Sequence, residues 1–380
     1  MEAPNLSYWE KTSFYATDVV IVGSGIVGLN AAITIKKKQP KINVTVLERG
    51  FLPSGASTKN AGFACFGSIS ELIEQEKSSG TDGLHRLIKK RWDGLQKLRL
   101  LVGDDDLNLQ NNGGFELFKA EEFALKDECV AKISHFNTLV ADITGVTNVF
   151  SLANDKLKTF GFNQVDCLIK NKLEAQLDPG KMIRSLVQIA VSLGVVILNN
   201  CTVTHFIEED NSITVFTSQG DFIAKKLLFC TNAFANQLFP TLSLKPGRGQ
   251  VVITKPIDNL KLKGTFHYDK GYYYFRNVDD RVLLGGGRNL DFFTEETHQF
   301  GETPLVQNNL IRLLKEVILP DTPFEIEQKW SGIMAFGPEL YPIIEEVKPN
   351  IFCAVRCNGM GIAIGSQTGE EAGEMVLKGL

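Results

Sequence analysis

The sequence predicts an α/β protein in which a doubly wound, Rossmann-like parallel sheet is interleaved with a second, α+β domain built on an antiparallel sheet. Three observations carry this. Residues 18–22, DVVIV, form a short apolar run rich in β-branched side chains, which reads as a buried parallel strand. Gly23, Gly25 and Gly28 follow as GxGxxG and lead into helical spacing through Lys36. Later, residues 251–254, 271–275 and 281–285 alternate as short strands with turn residues between them, the pattern of an antiparallel sheet. A chain of 380 residues suits about two domains.

The first turn has a physical reason at each glycine. Gly23 permits the tight turn, Gly25 lets the backbone approach a pyrophosphate, and Gly28 lets the helix pack on the strand. An anion is therefore expected on the free N–H groups at the positive helix end, beside Ser24, Ile26 and Val27. A second apolar strand, residues 42–47, closes on Glu48. An acid there accepts hydrogen bonds from ribose hydroxyls and repels a 2′-phosphate, which argues for an adenosine diphosphate group, as in FAD or NAD, and against NADP.

Net charge is −4 with a pI near 5.9, and no basic run exceeds the KKK at 36–38, so nothing points to nucleic acid. The N-terminus has no basic start before an apolar core, and no apolar stretch approaches the roughly 18 residues of a membrane span. No signal peptide or transmembrane segment is expected, and the protein reads as cytoplasmic. Seven cysteines, an odd number without paired spacing, fit a reducing compartment, and without a CxxC no metal site is expected.

Residues 49–68 begin with Arg49 and continue through GASTKNAGFACFGS, a stretch of small and hydroxyl residues without apolar period that describes a loop. This stretch resembles the GAS-S-RNAG segment of the D-amino-acid oxidase/sarcosine oxidase (DAO) superfamily of FAD-dependent oxidoreductases, which includes glycine oxidase and D-amino-acid dehydrogenase. The resemblance implies that Ser57 and Thr58 contact the pyrophosphate and that Asn60, Ala61 and Gly62 meet the flavin edge. Arg49 is counted with the cofactor residues, and Lys59 stands where an arginine is commoner.

The remaining elements follow in order. Residues 71–103 carry helical period and stop at a glycine and three aspartates; 114–119 read as a strand and 121–145 as a helix. Asp178, Pro179 and Gly180 open a helix that ends at Gly194, with a strand at 195–198. In the family the backbone at the position of Val203 meets the adenine. Residues 206–217 and 221–224 read as a strand pair, and 226–230 as a buried strand ending at Thr231 and Asn232, which resembles the second flavin-binding strand end.

PGRGQ at 246–250 resembles the family's entry into the substrate domain. Tyr272, Tyr273, Tyr274 and Phe275 should place two rings on each face of a strand. With Arg276 and Arg288 nearby, such a surface suits a small amino acid, because aromatic walls hold its side chain and a guanidinium binds carboxylate bidentately. Arg288 and Tyr273 are the first candidates to position substrate, with Arg276 next. Residues 302–318 read as a helix, and 330–336, WSGIMAF, resemble the strand that carries a flavin-linking cysteine in sarcosine oxidases and a carboxylate-gripping arginine in glycine oxidase. Met334 stands near both positions, so FAD is expected to be non-covalent. After a strand at 351–355, Gly359, Met360, Gly361 and Ile362 resemble the helix start over the flavin pyrimidine, with Met360 in place of a histidine.

The resemblance covers about residues 17–378 and implies an FAD-binding domain of residues 14–75, 176–245 and 337–380, interleaved with a substrate domain of 76–175 and 246–336. The activity it implies is oxidation of a C–N bond of a small amine or amino acid by hydride transfer to flavin N5, with oxygen or a quinone as electron acceptor. Two other readings stand beside it: an NAD-dependent dehydrogenase, and a non-catalytic or electron-transfer flavoprotein scaffold.

Overall fold

The computed structural model describes residues 6–378 and contains two large sheets. In the first, the strands Ile351–Val355, Gly220–Phe229, Ala16–Val22, Val44–Leu47 and Val196–Leu198 run parallel in that order, with Ile343–Lys348 antiparallel at one edge. The apolar run predicted as a strand is buried on both faces: Val19, Val20 and Ile21 are 0 % exposed. The helix Ile26–Lys38 packs on one face together with Gly361–Leu377, and small residues allow the approach. A Cβ on Gly369 would lie 2.5 Å from the Val27 carbonyl.

The strand pair expected at 206–217 and 221–224 is differently divided. A turn in which the Glu209 N–H bonds the Ser212 carbonyl splits the first into Val203–Glu208 and Ile213–Thr217, and the second merges with 226–230 into the single strand Gly220–Phe229. Its first half pairs with the meander and its second half with the parallel sheet, so one strand serves both.

The second sheet runs Ile326–Phe336, Lys245–Thr254, Arg281–Gly286, Tyr273–Val278, Thr265–Tyr268, Gly114–Lys119, Val165–Asn171 and Phe150–Leu152. It is antiparallel at every junction but one: Thr265–Tyr268 lies parallel to Gly114–Lys119, where two separate chain segments meet. The helix Ile69–Val102 begins in a capping box of Ser68 and Glu71 and is broken at Gly80, whose φ of +70° is non-helical. The stretch 55–68 is more ordered than a loop, with a helical turn Ala56–Lys59 and a two-residue strand Phe63–Ala64 paired to Ala175–Gln176. No helix among the described residues is long and apolar enough to cross a membrane.

Candidate active site

A cavity of about 1000 Å³ lies between the C-terminal ends of the parallel strands and one face of the second sheet. At its nucleotide end, Gly23 has φ +104° and a Cβ there would lie 2.9 Å from the Cys230 carbonyl oxygen; a Cβ on Gly28 would lie 2.0 Å from the Gly23 carbonyl. Neither position admits a side chain. Gly25 differs, because its φ of −75° is ordinary and a Cβ would meet only Ser57 Oγ, at 3.0 Å. Its hydrogen keeps the cavity floor open.

Ser24 and Gly28 shape this end from behind, whereas Gly23, Gly25, Ile26, Val27, Glu48, Arg49, Ser57 and Val203 line it. Glu48 is preset: Oε2 accepts from the Ser24 N–H and hydroxyl at 3.1 and 2.8 Å, and Oε1 from the Gly50 N–H at 2.9 Å. Ser57 Oγ accepts from the Ile26 N–H at 2.9 Å, at the N-terminus of the glycine helix. The Arg49 guanidinium lies 3.8 Å over the Phe234 ring. Thr58 does not line the cavity. Its hydroxyl donates to the Pro53 and Gly55 carbonyls, so it stabilises its own turn rather than reaching a pyrophosphate.

Further along, Asn60, Ala61 and Gly62 form a rigid rim. Asn60 Oδ1 accepts from the Gly62 N–H at 2.8 Å while Nδ2 donates back to Ser57 and Ala56. Across from them Thr231 Oγ1 is buried without a hydrogen-bond partner, and Asn232, at φ +51°, donates to the Ile333 carbonyl. Gly359, Met360, Gly361 and Ile362 complete this wall at the N-terminus of the 17-residue helix Gly361–Leu377. An acceptor for ribose, two helix N-termini for negative charge and a partnerless buried hydroxyl together fit a flavin dinucleotide.

On the substrate side the tyrosines divide otherwise than expected. Tyr274 and Tyr272 line the cavity; Tyr273 points through the sheet into the apolar core, 5 % exposed, with its hydroxyl accepting from Asn309 Nδ2 at 2.8 Å. The alternation is that of any strand, but one residue out of phase with the choice of Tyr273. Arg276 shares the Tyr274 face yet does not reach the cavity: it lies under Gly62 and donates to the Leu177 carbonyl at 3.0 Å. Burial lowers its pKa to about 10. Arg288 does enter the cavity, its guanidinium 4.1 Å from the Phe336 ring centre and 4.8 Å from that of Phe292. The turn Phe292–Glu295 beside it is fixed by Glu295, which accepts from Arg248 at 2.8 and 3.0 Å and from Gln250 at 2.9 Å. This is the work of the RGQ motif.

The family model of DAO, FAD dependent oxidoreductase, matches residues 18–375. The chain belongs to this family. Its cofactor is FAD rather than a nicotinamide. The chain is 21 % identical to the probable oxidoreductase OrdL of Haemophilus influenzae, over 96 % of this chain and 84 % of that protein. Further curated relatives are spanned over less than half of their own length. Among solved structures, glycine oxidase from Geobacillus kaustophilus superposes with a TM-score of 0.75 at 20 % identity, covering 96 % of this chain and 95 % of that one. L-proline dehydrogenase from P. horikoshii gives 0.73 at 19 % identity, covering 96 % and 94 %.

Several lining residues of this DAO-family site escaped sequence reasoning: Phe63, Cys65, Glu71 and His267. Behind them stands Glu174, 1 % exposed, with Oε1 2.6 Å from His267 Nε2. Ligand atoms of Cys65, Glu174 and His267 lie within 4.8 Å of one another. A metal there would need the Cys65 thiol ionised, and burial raises that pKa well above the usual value. The only signal for His267 was its place in TFHY, residues 265–268, a strand too short to stand out; for Glu174 there was none.

Proposed function

We propose that this DAO-family oxidoreductase oxidises the C–N bond of a small amino acid or amine to an imine, which water hydrolyses. Bound FAD supplies the hydride acceptor at its N5. Arg288 carries the reading. Its guanidinium faces the cavity between two aromatic rings, makes no hydrogen bond or ion pair among the described residues, and has its pKa lowered by burial. A desolvated cation without a partner is costly unless an anion arrives, and a carboxylate matches its fork. Tyr272 and Tyr274 wall the space beside it. Relatives named for oxidising glycine and dehydrogenating proline support an amino acid with the carboxylate next to the reacting bond.

Met334 lies on the strand Ile326–Phe336 and lines the cavity, with its Sδ 3.9 Å from a Cβ position on Gly359, so the side chain at that position is neither a linking thiol nor a cation. This supports FAD held without a covalent bond. Leu283 packs against Ala61 and Val251 behind the cavity wall, and a wall backed there by apolar side chains gives oxygen no charge, which supports a quinone or protein acceptor. Lys59 lines the cavity and is a cation that could aid oxygen instead; Arg356 is held by the Ser243 and Tyr341 carbonyls outside the cavity. Seven free thiols support a reducing compartment such as the cytoplasm.

The test is anaerobic bleaching of the flavin by a panel of amino acids and amines. Bleaching by an amino acid and not by the corresponding simple acid is the expected result. A flavin that no member of the panel reduces would leave a scaffold or electron carrier as the better account.

A further inference from the structure

Among the described residues His267 is the one histidine lining the cavity. It stands on Thr265–Tyr268 in register with Tyr274, so both rings share the sheet face that looks inward. Phe63, just beyond the rim Asn60 to Gly62, meets both edge-on, with centroids 5.3 and 5.8 Å away. The imidazole is held from behind: Glu174 Oε1, 2.6 Å from Nε2, also accepts from the Thr265 hydroxyl at 2.6 Å. Nδ1 has no hydrogen-bond partner among the described residues. The carboxylate nearest to it, Glu71 Oε2, is 3.8 Å away and already accepts from the Ser68 N–H at 2.9 Å. A structural histidine only 6 % exposed would have both nitrogens engaged; here one is held by a buried carboxylate and the other is left open beside the cavity.

We propose that His267 is the acid–base residue of this site, taking from the substrate's ammonium the proton that must leave before the C–N bond can be oxidised. The proposal rests on the reading of the site as an amine-oxidising one. An N–H bond of the ammonium breaks, its electron pair stays on nitrogen, and the proton passes to Nδ1 of the neutral ring, which becomes an imidazolium paired with Glu174. The freed lone pair then forms the C=N bond as the α-hydrogen departs with its two electrons to the oxidant that the family's activity supplies. Glu174 orients the ring and stabilises its charged form, as the buried carboxylate of a hydrolytic triad does.

The groups facing His267 decide when it can act. They are Glu174 behind it, Glu71 from the helix Ile69–Val102, Glu116 beside it on Gly114–Lys119, the Cys65 thiol and Tyr274; Glu74 and Lys270, paired with each other at 3.6 Å, lie further along the cavity wall. Burial by itself would lower the imidazole pKa, but Glu174 first, then Glu71 and Glu116, push it up to about 9. That lies between ordinary α-amino and lysine ammonium values, about 8 and about 10.4, so proton exchange with a substrate amine is near balance. The productive neutral ring therefore grows in as pH rises through that value.

The experiment uses holoenzyme mixed anaerobically with saturating amino acid, following flavin bleaching across about pH 6 to 10. The limiting rate should rise about tenfold per pH unit and level near pH 9. His267→Asn should abolish this limb and lower the plateau by roughly 100-fold or more. Glu174→Gln keeps a hydrogen-bond acceptor but removes the charge, so the limb should move down toward the ordinary imidazole value, about 6.5. The His267 ring C2–H resonance, independent of turnover, should titrate with the same shift, and it carries the test with His267→Asn if Glu174→Gln does not fold. A limb near 9 that survives His267→Asn, or a His267 resonance titrating near 6.5 in the wild type, overturns this assignment alone. Failure of any amine to bleach the wild type overturns the proposed function and this assignment with it.

Discussion

Replacing Arg288 with lysine keeps the charge and removes the planar fork. In the structure the guanidinium lies between Phe336 at 4.1 Å and Phe292 at 4.8 Å, beside a turn anchored by Glu295, so its position is set before any ligand arrives. A lysine ammonium would lose both the bidentate geometry and the stacking. Loss of that geometry at a buried charge pair costs on the order of 2 kcal/mol, which at 1.4 kcal/mol per tenfold is roughly 30-fold in Kd. Arg288→Met, which removes the charge as well, should cost more. The assay is an absorbance titration of the oxidised flavin with an unreactive carboxylate analogue, run beside a decarboxylated amine as control. Only the carboxylate ligand should weaken. An unchanged Kd for it in Arg288→Lys would remove Arg288 from the site; Arg276 could not take its place, since it lies beneath Gly62 with its Nη2 on the Leu177 carbonyl.

Acid precipitation should release the flavin into the supernatant, and flavin kept in the pellet would refute non-covalent binding. Gly25→Val should abolish flavin retention without unfolding the chain, because the backbone angle there is ordinary and the one protein contact a Cβ makes is with the Ser57 side chain, while the approach of a phosphate is blocked; circular dichroism unchanged alongside lost yellow colour is the expected pair. When substrate-reduced enzyme is exposed to air, reoxidation should be slow and accelerated by an artificial quinone, in keeping with Leu283 beside Ala61; complete reoxidation within milliseconds would instead call for Lys59→Met to slow it. Stability should fall as pH rises. Glu116, its pKa pushed up to about 7 by burial from 4.5, contributes stability that is full below about 4.5 and lost through about 7. His267, raised from 6.5 to about 9, adds the same sign over a higher window, full below about 6.5 and lost through about 9. Glu116→Gln should flatten the lower part of a plot of thermal midpoint against pH, and a slope unchanged there would count against the burial of an ionisable carboxyl.

What the sequence by itself determined is the nucleotide half. The strand Ala16–Val22, the glycine turn, the helix Ile26–Lys38 and Glu48 lie within one contiguous unit, and each depends on interactions between near neighbours in the chain: apolar period, a turn only glycine permits, a helix end. The place of Arg288 in the cavity was legible for a related reason, since it follows the strand Arg281–Gly286 across a glycine turn. The side to which a residue points within a strand was not. Tyr273 and Tyr274 differ only in phase, and phase is set by pairing with Thr265–Tyr268 on one side and Arg281–Gly286 on the other, partners that no local pattern announces. Thr58 likewise turned onto the Pro53 and Gly55 carbonyls of its own loop, a choice that the order of residues does not announce. Only tertiary structure could bring His267 and Glu174 together. They are 93 residues apart, on segments joined where the second sheet turns parallel, and a carboxylate and an imidazole acquire their meaning as a pair only once both have been taken out of water.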